Sequence, residues 1–200
     1  MVVPTALTPS PLQALVAIAE PTHGSDAFDL SGEVALIRMA LGELPTVVLP
    51  APCTGERATL VALAAGLRAG AAIFWLVAPM GYQQSAPCVY LEQPDGTALP
   101  MSAYALADFI VRNTGAAPRL LLLTAGNQAT PAATTTHLAT FAQTIAHHGI
   151  PCVLTLPTAW GDMESAPWIV PLLTALESGQ APLAALPERL RGRVGLFRGG

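Results

Sequence analysis

The stretch Arg119-Leu120-Leu121-Leu122-Leu123-Thr124-Ala125-Gly126-Asn127-Gln128 is a short, solidly apolar run that stops abruptly in small and polar residues. A run this short with no polar alternation reads as a strand buried on both faces, the habit of parallel strands in α/β proteins. The tip after it then lies at the carboxyl end of a parallel sheet, where open α/β folds place their sites. What Thr124 to Gln128 can do chemically is therefore the functional question.

Working outward, the 200 residues fit one domain with enough mass to bury a sizeable core. Hydrophobic residues make up 52% and charged residues 11%, against roughly 25% charged in an ordinary soluble chain. So apolar and lightly charged a protein reads as part of something larger. The net charge is −4, and all nine basic residues are arginine. The absence of lysine removes Schiff-base chemistry and a P-loop lysine. With no basic cluster to neutralise phosphates, nucleic acid is not an expected partner. The apolar run Ala71 to Met80 is about half the roughly 20 residues of a membrane helix, so no membrane span is expected. Met1 to Pro11 has no basic n-region and reads as a flexible lead-in rather than a signal peptide. Cys53, Cys88 and Cys152 fall in no metal-type spacing and suit a reducing, cytoplasmic setting.

Strand-like and helix-like segments alternate. Leu12–Ala19, Thr46–Leu49, Ala72–Ala78, the leucine run and Ile150–Leu156 read as strands. Ser31 and Thr54 are expected caps of the first two helices, with Glu56 in the first turn of the second. Pro94-Asp95-Gly96 is a turn sequence between Cys88–Glu92 and a strand near Leu99, an inserted hairpin. Ser102 caps the next helix, with Leu106, Phe109 and Ile110 inward. Leu138, Phe141, Ala142 and Ile145 mark a helix stopped by Gly149. Ile169, Leu172, Leu173 and Leu176 mark another, bent or started late by Pro167 and Pro171. Ala181 onward reads as a broken helix and an Arg/Gly-rich tail. The pattern implies a three-layer α/β fold with a mainly parallel sheet of about five strands and helices on both faces.

Generic motifs are absent: there is no G-x-G-x-x-G after a strand, no G-x-S-x-G elbow and no Walker sequence. His147, His148 and Cys152 cluster in sequence, but at the end of the sheet opposite the expected site and without a nearby carboxylate. A helix-end and core role is the simpler reading, and no metal or cofactor is expected. His23 and His137 fall at the functional end, each also readable as a polar loop residue. Asp162 and Glu164 either cap a helix or line a pocket, capping being the cheaper explanation. Trp75, Trp160 and Trp168 read as core and edge packing. Cys53 and Cys88 have no sequence neighbour that would lower a thiol pKa.

From Leu12 to Arg191 the order of elements resembles the CHAT domain, a bacterial branch of the caspase-like cysteine peptidases related to separases. LVAIAEPT (Leu15–Thr22) is similar to the family's first strand and Glu33 to the glutamate opening its first helix. Ala58-Thr59 and the helix to Gly70 look like its second helix. FWLVAPMG (Phe74–Gly81) aligns with the strand that ends in the catalytic His-Gly. Gly96–Leu106 aligns with the hairpin and helix after it. LLLLTAGNQA (Leu120–Ala129) aligns with the strand ending in Ser-Ala-Cys, and Gly149-Ile150-Pro151 resembles the family's Gly-Ala-Pro. The resemblance implies a caspase-like domain over 12–191, a lead-in over 1–11 and a tail over 192–200.

It also implies that Met80 stands at the histidine position and Gly126 at the cysteine position. A thioether accepts no proton at neutral pH and glycine has no nucleophile, so the family's peptidase chemistry is expected to be absent. The expected function is a pseudo-peptidase acting through a protein partner, such as an active relative or a neighbouring domain, as scaffold or regulator. Two alternatives compete with it. One is a cysteine peptidase with a relocated nucleophile, Cys88 with His23 or His137. The other is a non-hydrolytic peptide cleft lined by His23, Met80, Gly81, Thr124, Gly126, Asn127, His137 and Asp162. The terminal Leu196-Phe197-Arg198-Gly199-Gly200 looks like the exposed tail of a ubiquitin-like modifier, on a domain that does not resemble that fold.

Overall fold

The computed structural model describes residues 12–22, 30–50, 57–84, 86–125, 131–156, 167–178, 180, 182–191 and 194–199. In chain order the elements are β1 (Ala14–Ile18), α1 (Leu30–Leu41), β2 (Thr46–Leu49), α2 (Leu60–Arg68), β3 (Ile73–Ala78), β4 (Met80–Gln83), β5 (Ala86–Glu92) and β6 (Ala98–Ser102). There follow α3 (Ala103–Asn113), β7 (Leu120–Ala125), α4 (Pro131–His147), β8 (Cys152–Leu156), α5 (Ile169–Glu177), a 3₁₀ turn at Pro182–Ala185, α6 (Glu188–Arg191) and β9 (Gly195–Arg198).

The main sheet has six strands in the order β2-β1-β3-β7-β8-β9. Neighbours are parallel from β2 to β8, and β9 runs antiparallel along β8. The leucine run is central β7, all six residues of which are buried. Its side chains alternate between two cores, as a period of two requires. Leu121, Leu123 and Ala125 join Leu15, Phe74, Leu76 and residues of α2, α3 and α4 on one face. Leu120 and Leu122 join Val16, Trp75 and residues of α1, α5 and α6 on the other. Each fully buried leucine contributes roughly 1.5–3 kcal/mol relative to exposure, so both faces resist any slip of register.

Thr124 is the polar exception in this strand. It is buried, and its Oγ1 accepts a hydrogen bond from the Trp75 indole N–H at 3.0 Å. Trp75 also meets Trp168 edge-on, with ring centroids 6.1 Å apart, so both rings are core as expected.

Between β3 and α3 the chain forms a second, antiparallel sheet, β4-β5-β6. The expected hairpin is its β5–β6 part; β4 pairs through Met80↔Val89 to Gln83↔Ala86. Met80-Gly81-Tyr82-Gln83 carries too little periodicity to announce a strand and is formed by tertiary pairing. At the turn, Gly96 has φ +87, a conformation that favours glycine, and a Cβ there would also displace the Arg57 guanidinium that pairs with Glu92. The Thr97 hydroxyl and N–H both donate to Asp95, holding its carboxyl below the usual value.

Several local expectations are corrected. Helix α2 starts at Leu60, and its cap is Thr59, whose hydroxyl accepts from the Ala62 N–H; Thr54 and Glu56 lie outside the described residues. Helix α1 already includes Ser31, so that residue does not precede it as a cap. Ser102 caps α3 as expected, accepting from the Ala105 N–H. Helix α5 starts late, at Ile169, leaving Pro171 in a first turn where its missing N–H has no intrahelical partner to lose.

The largest correction concerns the tail. Gly195–Arg198 is the sixth strand, pairing Thr155↔Gly195 through Cys152↔Arg198, with Leu196 and Phe197 against opposite cores. The sheet therefore extends beyond the expected boundary at Arg191, and Leu196-Phe197-Arg198 is not an exposed tail.

Two outcomes test this arrangement. Thr124→Val, which keeps shape but removes the acceptor of a buried donor, is expected to lower stability by about 1–3 kcal/mol in urea unfolding, and Thr124→Ser by less. A chain ending at Val194 is expected to melt at least roughly 5 °C lower than the full chain, because it loses a strand and the apolar contacts of Leu196 and Phe197.

Candidate functional site

Strands β3 and β7 are adjacent and parallel, and their last residues, Ala78 and Ala125, are register partners. The carboxyl ends of these strands are thus side by side. After β3 the chain passes through Pro79 directly into β4, so Met80 is the first residue of the small sheet. Met80 is half-buried and packs against the core that holds Leu121 and Leu123. The apolar thioether thus serves packing.

Gly81 lies opposite Cys88. A Cβ on Gly81 would fall 2.6 Å from Cε2 of Tyr90, so the missing side chain is what lets the Tyr90 ring lie over β4. The adjacent Cys88 thiol first, and burial second, push the Tyr90 hydroxyl above its ordinary pKa. Next along β4, Tyr82 is half exposed, and its hydroxyl is hydrogen-bonded to His137 Nε2 on α4. The two rings meet edge-on, with centroids 4.7 Å apart. This Tyr82–His137 pair ties the small sheet to α4. His137 is thus held against β4, with its Nε2 engaged by the tyrosine.

Thr124, expected to line a cleft, instead faces the core as the Trp75 acceptor. Cys88 is only 1% exposed, and among the described residues no hydrogen bond joins it to an imidazole. His23, Gly126, Asn127 and Asp162, with Cys53, Trp160 and Glu164, lie outside the described residues.

Two contacts fasten the small sheet over the end of β1 and the start of α2, and neither was visible in the sequence. Glu92, at the end of β5, is 4% exposed; it accepts from the Ala58 N–H at 2.9 Å and pairs with Arg57 at 3.2 Å. Thr22, after β1, donates both its N–H and its hydroxyl to the Gly96 carbonyl, each at 2.9 Å. The one local signal was a lone acid ending the apolar run Cys88–Leu91, since a carboxylate at a buried position requires a partner. That partner is 35 residues away in the chain and carries no mark of its own.

At the opposite, amino end, His148 Nδ1 is hydrogen-bonded to the Thr144 carbonyl, a helix-end position. Its ring meets Tyr104 edge-on, with centroids 4.3 Å apart. Cys152 opens β8 and is buried. Among the described residues, no group of three His, Cys, Asp or Glu side chains could hold a metal ion, and no helix is long and apolar enough to cross a membrane.

Comparison of the sequence with protein-family models and with curated proteins finds no match.

Burial raises the Cys152 thiol pKa to about 11, partly offset by Arg198. Because the folded value lies above the unfolded one, the contribution to stability is complete below about pH 9 and is lost as pH rises toward 11. Wild type is therefore expected to lose more stability than Cys152→Ala between pH 8 and pH 11, measured by urea unfolding at a series of pH values. Equal pH slopes would contradict the assignment.

Proposed function

We propose that this chain is a catalytically inactive, CHAT-like caspase-fold domain that acts through protein–protein contacts, as a scaffold or regulator within a larger cytoplasmic protein or complex. The observation that carries the reading is the register of β3 with β7. Ala78 and Ala125 are paired at adjacent strand ends. Met80 and Gly126, the positions that the resemblance assigns to a histidine base and a cysteine nucleophile, follow those ends by two residues and one residue in sequence. The antiparallel insertion between β3 and α3 agrees with the hairpin that the same resemblance implies.

The chemistry follows from the side chains. A base must accept a proton and a nucleophile must carry a lone pair that attacks carbon; a thioether is a very weak proton acceptor and glycine has no side chain. The relocated-nucleophile alternative has little to draw on, since Cys88 is buried and His137 is bonded to Tyr82. The peptide-cleft alternative rests chiefly on Gly126, outside the described residues.

The test pairs an electrophilic thiol probe with a peptide library. Wild type is expected to cleave no peptide and to leave Cys88 unlabelled in the native state, while Met80→His/Gly126→Cys gains labelling at the introduced thiol. Labelling of wild type at Cys88 together with cleavage, both lost on Cys88→Ala, would overturn the inactive reading. For the interaction half, cross-linking in the cell of origin is expected to recover a stoichiometric protein partner. A strictly monomeric protein with no cross-linked neighbour would overturn that half.

A further inference from the structure

The amino end of the sheet holds a feature that the proposed function does not use. Between the start of β8, the end of antiparallel β9 and the last turns of α5 lies a cavity of about 590 Å³. That is within the range of small-molecule sites, roughly 300–1,000 Å³. Pro151, Cys152, Leu173 and Leu176 supply its apolar wall, and Arg119, Arg198 and Glu177 its charged rim.

Among the described residues the charges do not balance. Arg119 is ion-paired with Glu177 through a single guanidinium nitrogen, Nη1, and a guanidinium has five N–H donors, so others remain for a second acceptor. Arg198 is held at its position by the pairing of β9 with β8, where it is the register partner of Cys152. Among the described residues it has no ion-pair partner. The thiol beside it stays protonated near neutral pH, because burial raises its pKa to about 11, so it offers no counter-charge. Among the described residues the rim is thus two guanidinium cations against one carboxylate, above an apolar wall.

We propose that this cavity binds a small carboxylate with an apolar body, the carboxylate bridging Arg198 and the free edge of Arg119 and the body lying on Leu173, Leu176 and Pro151. Planar, bidentate donors suit a carboxylate, and charge-assisted bonds are the strong ones. The apolar wall gains by being covered. The site is independent of Met80, which follows β3 at the other end of the sheet.

Octanoate is the test ligand, with octanol and acetate as the two halves of the proposal, each titrated into the full chain by calorimetry. Octanoate is expected to bind saturably at one site. Octanol and acetate are each expected to bind at least about tenfold more weakly. Arg198→Met should cost octanoate about tenfold or more, Leu173→Trp should fill the cavity and abolish binding, and high salt should weaken octanoate but not octanol. No saturable octanoate binding, equal affinity for octanol, or unchanged affinity in a folded Arg198→Met protein would each overturn the proposal. Should a variant fail to fold, the ligand comparison and the salt dependence on wild type still decide it.

Discussion

The pairing of β3 with β7 in the middle of the sheet is the contact on which the rest of the molecule depends. Both strands are buried throughout and closed on both faces, so every residue in them answers to one of two cores. A change of register would move Leu121 and Leu123 out of the core of α2, α3 and α4, and Leu120 and Leu122 out of the core of α1, α5 and α6. The same constraint aligns Ala78 with Ala125, the last residues of the two strands. It also accounts for much of the composition. A sheet buried on both sides consumes apolar residues in near-continuous runs. The exposed large hydrophobics, such as Val47, Val61, Tyr104 and Val111, are spread over β2, α2 and α3. The low charge content therefore follows from two cores and is not by itself a sign of a partner surface.

The small sheet depends on a different kind of interaction. Its inner side contributes Val89, Leu91 and Met101 to one core, but its position over β1 and α2 is set by polar contacts. The buried Glu92 carboxylate holds the Ala58 N–H and Arg57, and Thr22 holds the Gly96 carbonyl. Directional bonds of this kind fix orientation more than they add stability. Tyr82 and His137 complete the fastening from the other side. Met80, Gly81 and Tyr82 thus have structural duties: filling the core, admitting the Tyr90 ring, and reaching α4.

The two ends of the sheet have different chemistry. At the carboxyl end the described side chains are mutually satisfied, and the functional reading rests on what Met80 and Gly126 cannot do. At the amino end a cavity combines an apolar wall with, among the described residues, two guanidinium groups and one carboxylate. The difference follows from topology: the antiparallel return of β9 carries Arg198 to the end of the sheet where β8 begins.

By itself the sequence determined the α/β class, the five parallel strands within a residue or two, the hairpin around Asp95-Gly96, the Ser102 cap and the faces of α3, α4 and α5. These are properties of periodicity, capping and turn chemistry, which act over a few residues. Only the tertiary structure decided that Met80 begins a strand, that Thr59 caps α2, that Gly195–Arg198 closes the sheet, that Thr124 serves the core, and that Glu92 meets Arg57. The Thr59 cap accepts from Ala62 three residues on, and Met80 pairs with Val89 nine residues on; the others depend on partners tens of residues away, and neither a backbone hydrogen bond to a distant strand nor the burial of a single polar side chain leaves a local signature. Short edge and insert strands form because a neighbouring strand offers unpaired N–H and C=O groups, and that offer exists only once the chain has folded.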